Sequence, residues 1–192
     1  MTEHTSRAPL TDEEIRAATI GELAPLDSPI LLTEYDPEWP QLFEREADRI
    51  RIALAVRALQ VEHVGSTSVP GLAAKPVIDM VLVVVDSGDE PAYVPDLEAH
   101  GYVLRIRESD WFEHRVFKCP DTNVNLHVFS NDCSEVQVML DFRDWLREND
   151  ADRDLYEHVK RDLSAKDWKY VRNYADAKTA VVEQINARAR RS

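Results

Sequence analysis

A carboxylate, a histidine and several lysines are the residues of this sequence whose types and spacing could do chemistry. They gather around one stretch, His63-Val64-Gly65-Ser66-Thr67-Ser68-Val69-Pro70-Gly71-Leu72-Ala73-Ala74-Lys75-Pro76-Val77-Ile78-Asp79, which runs into the apolar residues Met80 to Val85. It reads as a short strand, a turn of small residues, then a buried strand with a carboxylate near its start. Two of the five glycines of the chain fall within it. A Gly-Ser turn admits an anion close to backbone N–H groups, because glycine lacks a Cβ and tolerates positive φ. Gly65, Ser66 and Thr67 are therefore candidate phosphate-binding residues. Lys75 adds a point charge for a phosphate, and Asp79 offers a ligand to a divalent cation such as Mg²⁺ or Mn²⁺. A tight connection between two core strands would use the same residue types, with Asp79 as a strand-edge side chain.

Strand alternation puts Asp79 on one face with Val77 and Val81, and turns Asn125 and His127 away from Leu126 and Val128. If the two strands are neighbours, His127 and Asp79 converge on one cation or one water. Both are candidate catalytic and metal-binding residues, since imidazole ligates metals and serves as a general base near neutral pH. A hydrogen-bonded structural histidine is the alternative for His127, and His63 reads as orienting the turn. Arg115 sits in a strand with Glu113 and Phe117 on its own face, and Arg143 and Arg147 lie four apart on one helix face. The pairs Tyr156/Lys160 and Tyr174/Lys178 each put an aromatic and a cation on one helical face. That pairing suits a stacking base and a charged phosphate, so Arg115, Lys160 and Lys178 join the phosphate-binding candidates. Snorkelling lysines on an amphipathic helix would show the same spacing.

The elements that must position these groups follow in order. Residues 1–9 are polar and read as a disordered lead. Thr11-Asp12-Glu13-Glu14 fits a capping box opening a short helix through Ile20. Ile30 to Tyr35 reads as a strand, followed by a helix with Pro37 in its first turn and an apolar stripe of Trp39, Phe43, Ala47, Ile50 and Leu54. Val61–Val64 and Val77–Val85 are strands. Glu90 to His100 reads as a helix stopped by Gly101. Tyr102–Arg107, Phe112–Cys119 and Val124–Phe129 read as strands, the last two joined through Asp121-Thr122-Asn123. Glu135–Arg147 is a helix burying Val138, Met139, Phe142, Trp145 and Leu146, and two more helices span Asp152–Ser164 and Tyr170–Arg190. This order predicts one α+β domain, a mixed sheet with helices packed on it and a C-terminal helical portion.

Composition narrows the partners. The chain has 192 residues and a formal net charge of −13, which repels nucleic-acid polymers and anionic membranes and leaves a small phosphorylated ligand in a locally basic pocket. Cys119 and Cys133 have no zinc or redox spacing and read as reduced thiols. The apolar run Met80 to Val85 is too short to cross a bilayer, and no signal peptide is apparent, so a cytoplasmic protein is expected. The spacing from Gly65 to Gly71 is not that of a P-loop, and neither G-x-S-x-G nor a strand-borne G-x-G-x-x-G is present.

These motifs resemble the GrpB family. The resemblance rests on the stretch from His63 to Asp79, with Tyr35-Asp36-Pro37-Glu38-Trp39, Leu126-His127-Val128, Phe142-Arg143-Asp144-Trp145-Leu146-Arg147 and the two Tyr/Lys pairs. It covers roughly residues 30–190, which implies a domain over 29–192 (its helical portion from about 150) behind an N-terminal extension, 1–28. The family resembles the nucleotidyltransferase superfamily, whose members set a Gly-Ser turn against metal-binding carboxylates on the next strand. Some members are fused to dephospho-coenzyme A kinase, which implies a nucleotide-related setting. Carried over, Gly65 and Ser66 hold phosphates and Asp79 is the first metal ligand, with Lys75, Arg115, Lys160 and Lys178 in supporting positions. The second carboxylate of that pattern is replaced by Val81, and His127 stands where a third is expected. The resemblance thus implies either a metal-dependent nucleotidyltransferase acting on a small acceptor or a catalytically degenerate nucleotide-binding module, a sensor or an accessory to a protein partner.

Overall fold

The computed structural model describes residues 8–119 and 121–191. Residues 1–7 of the polar lead therefore lie outside the described residues. Five strands form one mixed sheet: β1 (Gln60–Val64), β2 (Ile78–Val84), β3 (Val103–Glu108), β4 (His114–Cys119) and β5 (Val124–Ser130). Their spatial order is β1-β2-β5-β4-β3, with β2 and β5 parallel and the other pairs antiparallel. The α+β reading holds, and the two strands expected to carry the chemistry are neighbours at the centre of the sheet.

Helix α1 (Asp12–Ala18) opens on the Thr11 capping box read from the sequence. α2 (Trp39–Leu54) and α3 (Val94–Ala99) cover one face of the sheet. The stripe Trp39, Phe43, Ala47, Ile50 and Leu54 is buried there against Ile78, Met80, Leu82, Phe117, Leu126 and Val128. The C-terminal portion, α4 (Ser134–Glu148), α5 (Asp150–Ser164), α6 (Val171–Asp176) and α7 (Thr179–Ala189), follows β5. It meets the opposite face, where Val64, Val81, Val83 and Phe129 pack on Val136 of α4. Alternating strand residues serve the two faces, so the polar members of β2 and β5 are left between sheet and C-terminal helices.

Five expected elements differ. Ile30 to Tyr35 is not a strand, since only Thr33 bridges Ala74, with N···O distances of 2.9 Å both ways. Pro76, which has no N–H to donate, prevents that bridge from growing into a ladder. The helix expected over Glu90–His100 divides into a 3₁₀ turn, Glu90–Ala92, and α3, because Tyr93 leaves the helical region and Pro95 begins a new first turn. β4 starts at His114 because Phe112 and Glu113 take positive φ (54° and 50°), a conformation no strand uses. The last helix is broken at Ala177–Lys178 into α6 and α7. Pro37 precedes α2, and Pro40 occupies the first-turn position instead.

One buried carboxylate ties the layers together. Glu46 of α2 is 1% exposed and accepts hydrogen bonds from Tyr102 Oη at 2.8 Å and Thr122 Oγ1 at 2.7 Å, with Arg49 at 3.4 Å. It joins the helix to the start of β3 and to the β4–β5 connection. Glu46→Ala leaves these partners without their acceptor, and we expect a loss of about 3 kcal/mol in urea unfolding. A loss below about 0.5 kcal/mol, the size of an ordinary surface substitution, would contradict this role.

Candidate functional site

The parallel register pairs Asp79 with Asn125 and Val81 with His127, which sets three polar side chains on one face of two adjacent strands. Asn125 Nδ2 donates to Asp79 Oδ1 at 2.6 Å, and His127 Nε2 stands 4.0 Å from the same oxygen. Gly65, directly after β1, closes over Asp79. A Cβ at Gly65 would lie 2.6 Å from Asp79 Oδ2, and the residue has φ +69°. The glycine therefore makes room for a carboxylate.

The turn beyond it is anchored from several directions. Thr67 Oγ1 donates to Val77 O and meets His63 Nε2, both at 3.1 Å. Its hydroxyl is thus committed to holding the turn, while His63 stacks on Phe43 with ring centroids 4.8 Å apart. Arg147 donates to Ser68 O at 2.9 and 3.0 Å, and Arg143 to His63 O at 3.0 Å. The Arg143/Arg147 face seen in the sequence serves this purpose. From α5, Glu157 accepts from Ala73 N at 3.0 Å, Lys160 Nζ donates to Ala73 O, and the Tyr156 hydroxyl meets the Ser66 side chain.

A cavity of about 270 Å³ opens over this arrangement. Gly65, Ser66, Thr67, Lys75, Asp79, His127, Lys160 and Lys178 all line it, so eight of the nine expected site residues are brought together. Arg115 is not. It pairs in register with Val128, on the opposite face, where Glu90 and Glu113 hold it at 2.6 and 3.1 Å. Lys118, three residues on and so on the other face, carries a cation near Asp79 instead, bonded to Asn125 Oδ1.

The lysines set the electrostatics. Burial lowers the Lys75 ammonium against the pull of Asp79. Lys160 is 2% exposed, and burial with nearby Lys178 brings it down to about 7. Each helical lysine lies over its own tyrosine, Lys160 at 4.9 Å from the Tyr156 centroid and Lys178 at 4.6 Å from that of Tyr174. Burial would raise the Asp79 carboxyl, but His127, Asn125 and Lys178 outweigh it and hold the group below the usual carboxylate range. The Tyr174 hydroxyl, in a side chain that borders the cavity, is buried and has no hydrogen-bond partner among the described residues.

Behind His127 lies a relay that the sequence reading did not find. His114 Nε2 meets His127 Nδ1 at 3.0 Å, and His114 Nδ1 meets Glu108 Oε2 at 2.8 Å. Arg172 Nη1 is 3.3 Å from the other Glu108 oxygen, so that carboxylate acts as an acceptor and His114 Nδ1 carries a proton. Burial holds the His114 ring down at about 4, so it is neutral and its Nε2 must accept. His127 Nδ1 is therefore the donor, and its Nε2 is the ring nitrogen that faces Asp79. Only the sheet register places these rings together, and no spacing in the sequence signals it.

As a metal site the arrangement is sparse. Among the described residues no three His, Cys, Asp or Glu side chains cluster, and Val81 is wholly buried among Val64, Phe129 and Val136. The donors do not fit a two-ion centre. They fit one cation held by Asp79 and His127 with further oxygens from a phosphate and water.

The GrpB protein family model matches residues 29–188. The chain is 61% identical to a UPF0157 protein of Halalkalibacterium halodurans over 189 residues, 98% of this chain and 97% of that one. It is 44% identical to a UPF0157 protein of Streptomyces coelicolor over 82% of this chain and 83% of the relative. The crystal structure of conserved protein GrpB from Enterococcus faecalis is similar with a TM-score of 0.73 at 33% identity, covering 83% of this chain and 96% of that one.

Two outcomes are expected from this geometry. Gly65→Ala forces a Cβ onto Asp79 at positive φ, and should cost at least about 2 kcal/mol in urea unfolding; a loss under about 0.5 kcal/mol would show that the turn adapts freely. His63, like His114, is brought down to about 4 by burial, whereas an unfolded histidine titrates near 6.5. Between these values the unfolded chain binds more protons, so stability falls as pH drops from about 6.5 towards 4. Urea unfolding across that window checks this. His63→Gln should flatten the slope, and an unchanged slope would exclude His63 as a source.

Proposed function

The chain belongs to the GrpB family, and we propose that its Gly65–Asp79 cavity binds a small phosphorylated ligand of the nucleotide class. The observation that carries this reading is the lysine set. Lys75, Lys160 and Lys178 converge on one cavity that contains a single carboxylate, in a protein whose formal net charge is −13. Gathering like charges costs free energy that an anionic ligand recovers. The partnerless Tyr174 hydroxyl supports the same reading, because a buried donor without an acceptor is satisfied by a bound oxyanion. Such a binding module, a sensor or accessory to a protein partner, would act in the cytoplasm on a soluble ligand.

Thermal unfolding with pyrophosphate and with nucleoside triphosphates, each with and without Mg²⁺, tests this. A ligand at one hundred times its dissociation constant stabilises the native state by about 2.7 kcal/mol. We expect that gain in the wild type and its loss in Lys178→Ala. No gain with any of these anions, or an equal gain in Lys178→Ala, would overturn the proposal.

His127 Nε2, 4.0 Å from Asp79 Oδ1, favours a second reading, nucleotidyl transfer to a small acceptor. Asp79 and His127 would hold a Mg²⁺ or Mn²⁺ ion, which when bound would neutralise phosphate charge. Under this reading, pyrophosphate is released from a nucleoside triphosphate in the wild type and not in Asp79→Ala. Equal release by both proteins would dismiss the assignment of Asp79.

A further inference from the structure

A second cavity, of about 440 Å³, adjoins the first, and Ala175 and Lys178 line both. The two differ in chemistry. The first is cationic around the Gly65 turn. The second has an apolar wall of Trp111, Val138, Tyr156 and Val182, with Glu183 and Asn186 one turn apart on α7. The break between α6 and α7 places Lys178 at their junction, its ammonium held over the Tyr174 ring.

The first cavity alone, about 270 Å³, is smaller than the roughly 300–1,000 Å³ typical of ligand sites, so a ligand that fills it with a phosphate head extends into its neighbour. We infer that the ligand has two parts, a diphosphate head in the lysine cavity and a nucleoside seated in the second cavity, with Lys178 between them; this rests on the phosphate reading above. Glu135, Asp176 and Glu183 line the second cavity together with Arg172, Lys178 and Arg190, and Asp176 holds Arg172 at 2.7 Å, so no excess of positive charge marks a second phosphate site there. A hydrocarbon tail would leave the carboxylate of Glu183 and the amide of Asn186 without use. An aromatic base with N–H donors and ring-nitrogen acceptors uses both the rings and these polar groups.

Isothermal titration of the wild type with pyrophosphate and with the four ribonucleoside diphosphates separates the two claims. At least one nucleoside diphosphate is expected to bind about tenfold or more tightly than pyrophosphate, since the added ring contacts supply affinity that the head lacks. Val182→Trp and Asn186→Trp fill the second cavity from different positions, and thermal unfolding identifies which variants are folded. In a folded variant the nucleoside advantage should vanish while pyrophosphate affinity stays within about twofold of wild type. If wild type binds pyrophosphate and all four nucleoside diphosphates equally, or a folded variant keeps the advantage, the two-part ligand is overturned and the phosphate site stands. If nothing binds, the phosphate reading fails first.

Discussion

A carboxylate placed between a sheet and a helical layer must be given room, hydrogen bonds and compensating charge, and the surroundings of Asp79 answer each of these demands. Gly65 supplies the room, since no residue with a Cβ fits beside the carboxylate there. Asn125 supplies the hydrogen bond from the neighbouring parallel strand. Lys75, Lys118 and Lys178 supply positive charge. A buried acid left without these would take up a proton instead. The excess of cation over anion that results is what the proposed anionic ligand would neutralise.

The C-terminal helices maintain that arrangement more than they shield it. Arg143 and Arg147 of α4, and Glu157 and Lys160 of α5, bind backbone groups between His63 and Ala73. Main-chain carbonyls of a loop need partners when a helix packs over them, and long basic side chains reach them while their stems cover apolar surface. Displacing α4 or α5 would thus unfasten the turn. The same helices leave the ends of their packing open, so Val138, expected to be buried by α4, lines a cavity, while Met139 both packs on the Val81–Phe129 cluster and borders the lysine cavity.

How far the site was legible in the sequence follows from the range of the interactions involved. Asp79, Ser66 and Lys75 lie close along the chain, and residue type with strand alternation located them. His127 was placed correctly because period-two alternation fixes its face and the parallel pairing does the rest. Arg115 was misplaced because alternation alone does not say which face of β4 meets the site; its register with Val128 turns it away and turns His114 and Lys118 inward. The Glu108–His114–His127 relay joins three positions on three strands, and no local pattern encodes such a contact. Breaks at Tyr93, Phe112 and Ala177 were hidden for a different reason. No glycine or proline marks the turn at Phe112 and Glu113 or the junction at Ala177–Lys178, and at Tyr93 the cue is Pro95, a residue that a helix also accepts in its first turn.

The claim on which the rest stands is that the lysine cavity over Asp79 takes an anion. Crystals soaked in tungstate, a phosphate-like oxyanion with strong anomalous scattering, would locate it directly. The account predicts an anomalous peak bounded by the Gly65–Ser66 turn, Lys75 and Lys178, beside the Tyr174 hydroxyl. A cavity without that peak in crystals that bind tungstate at other surfaces would contradict it.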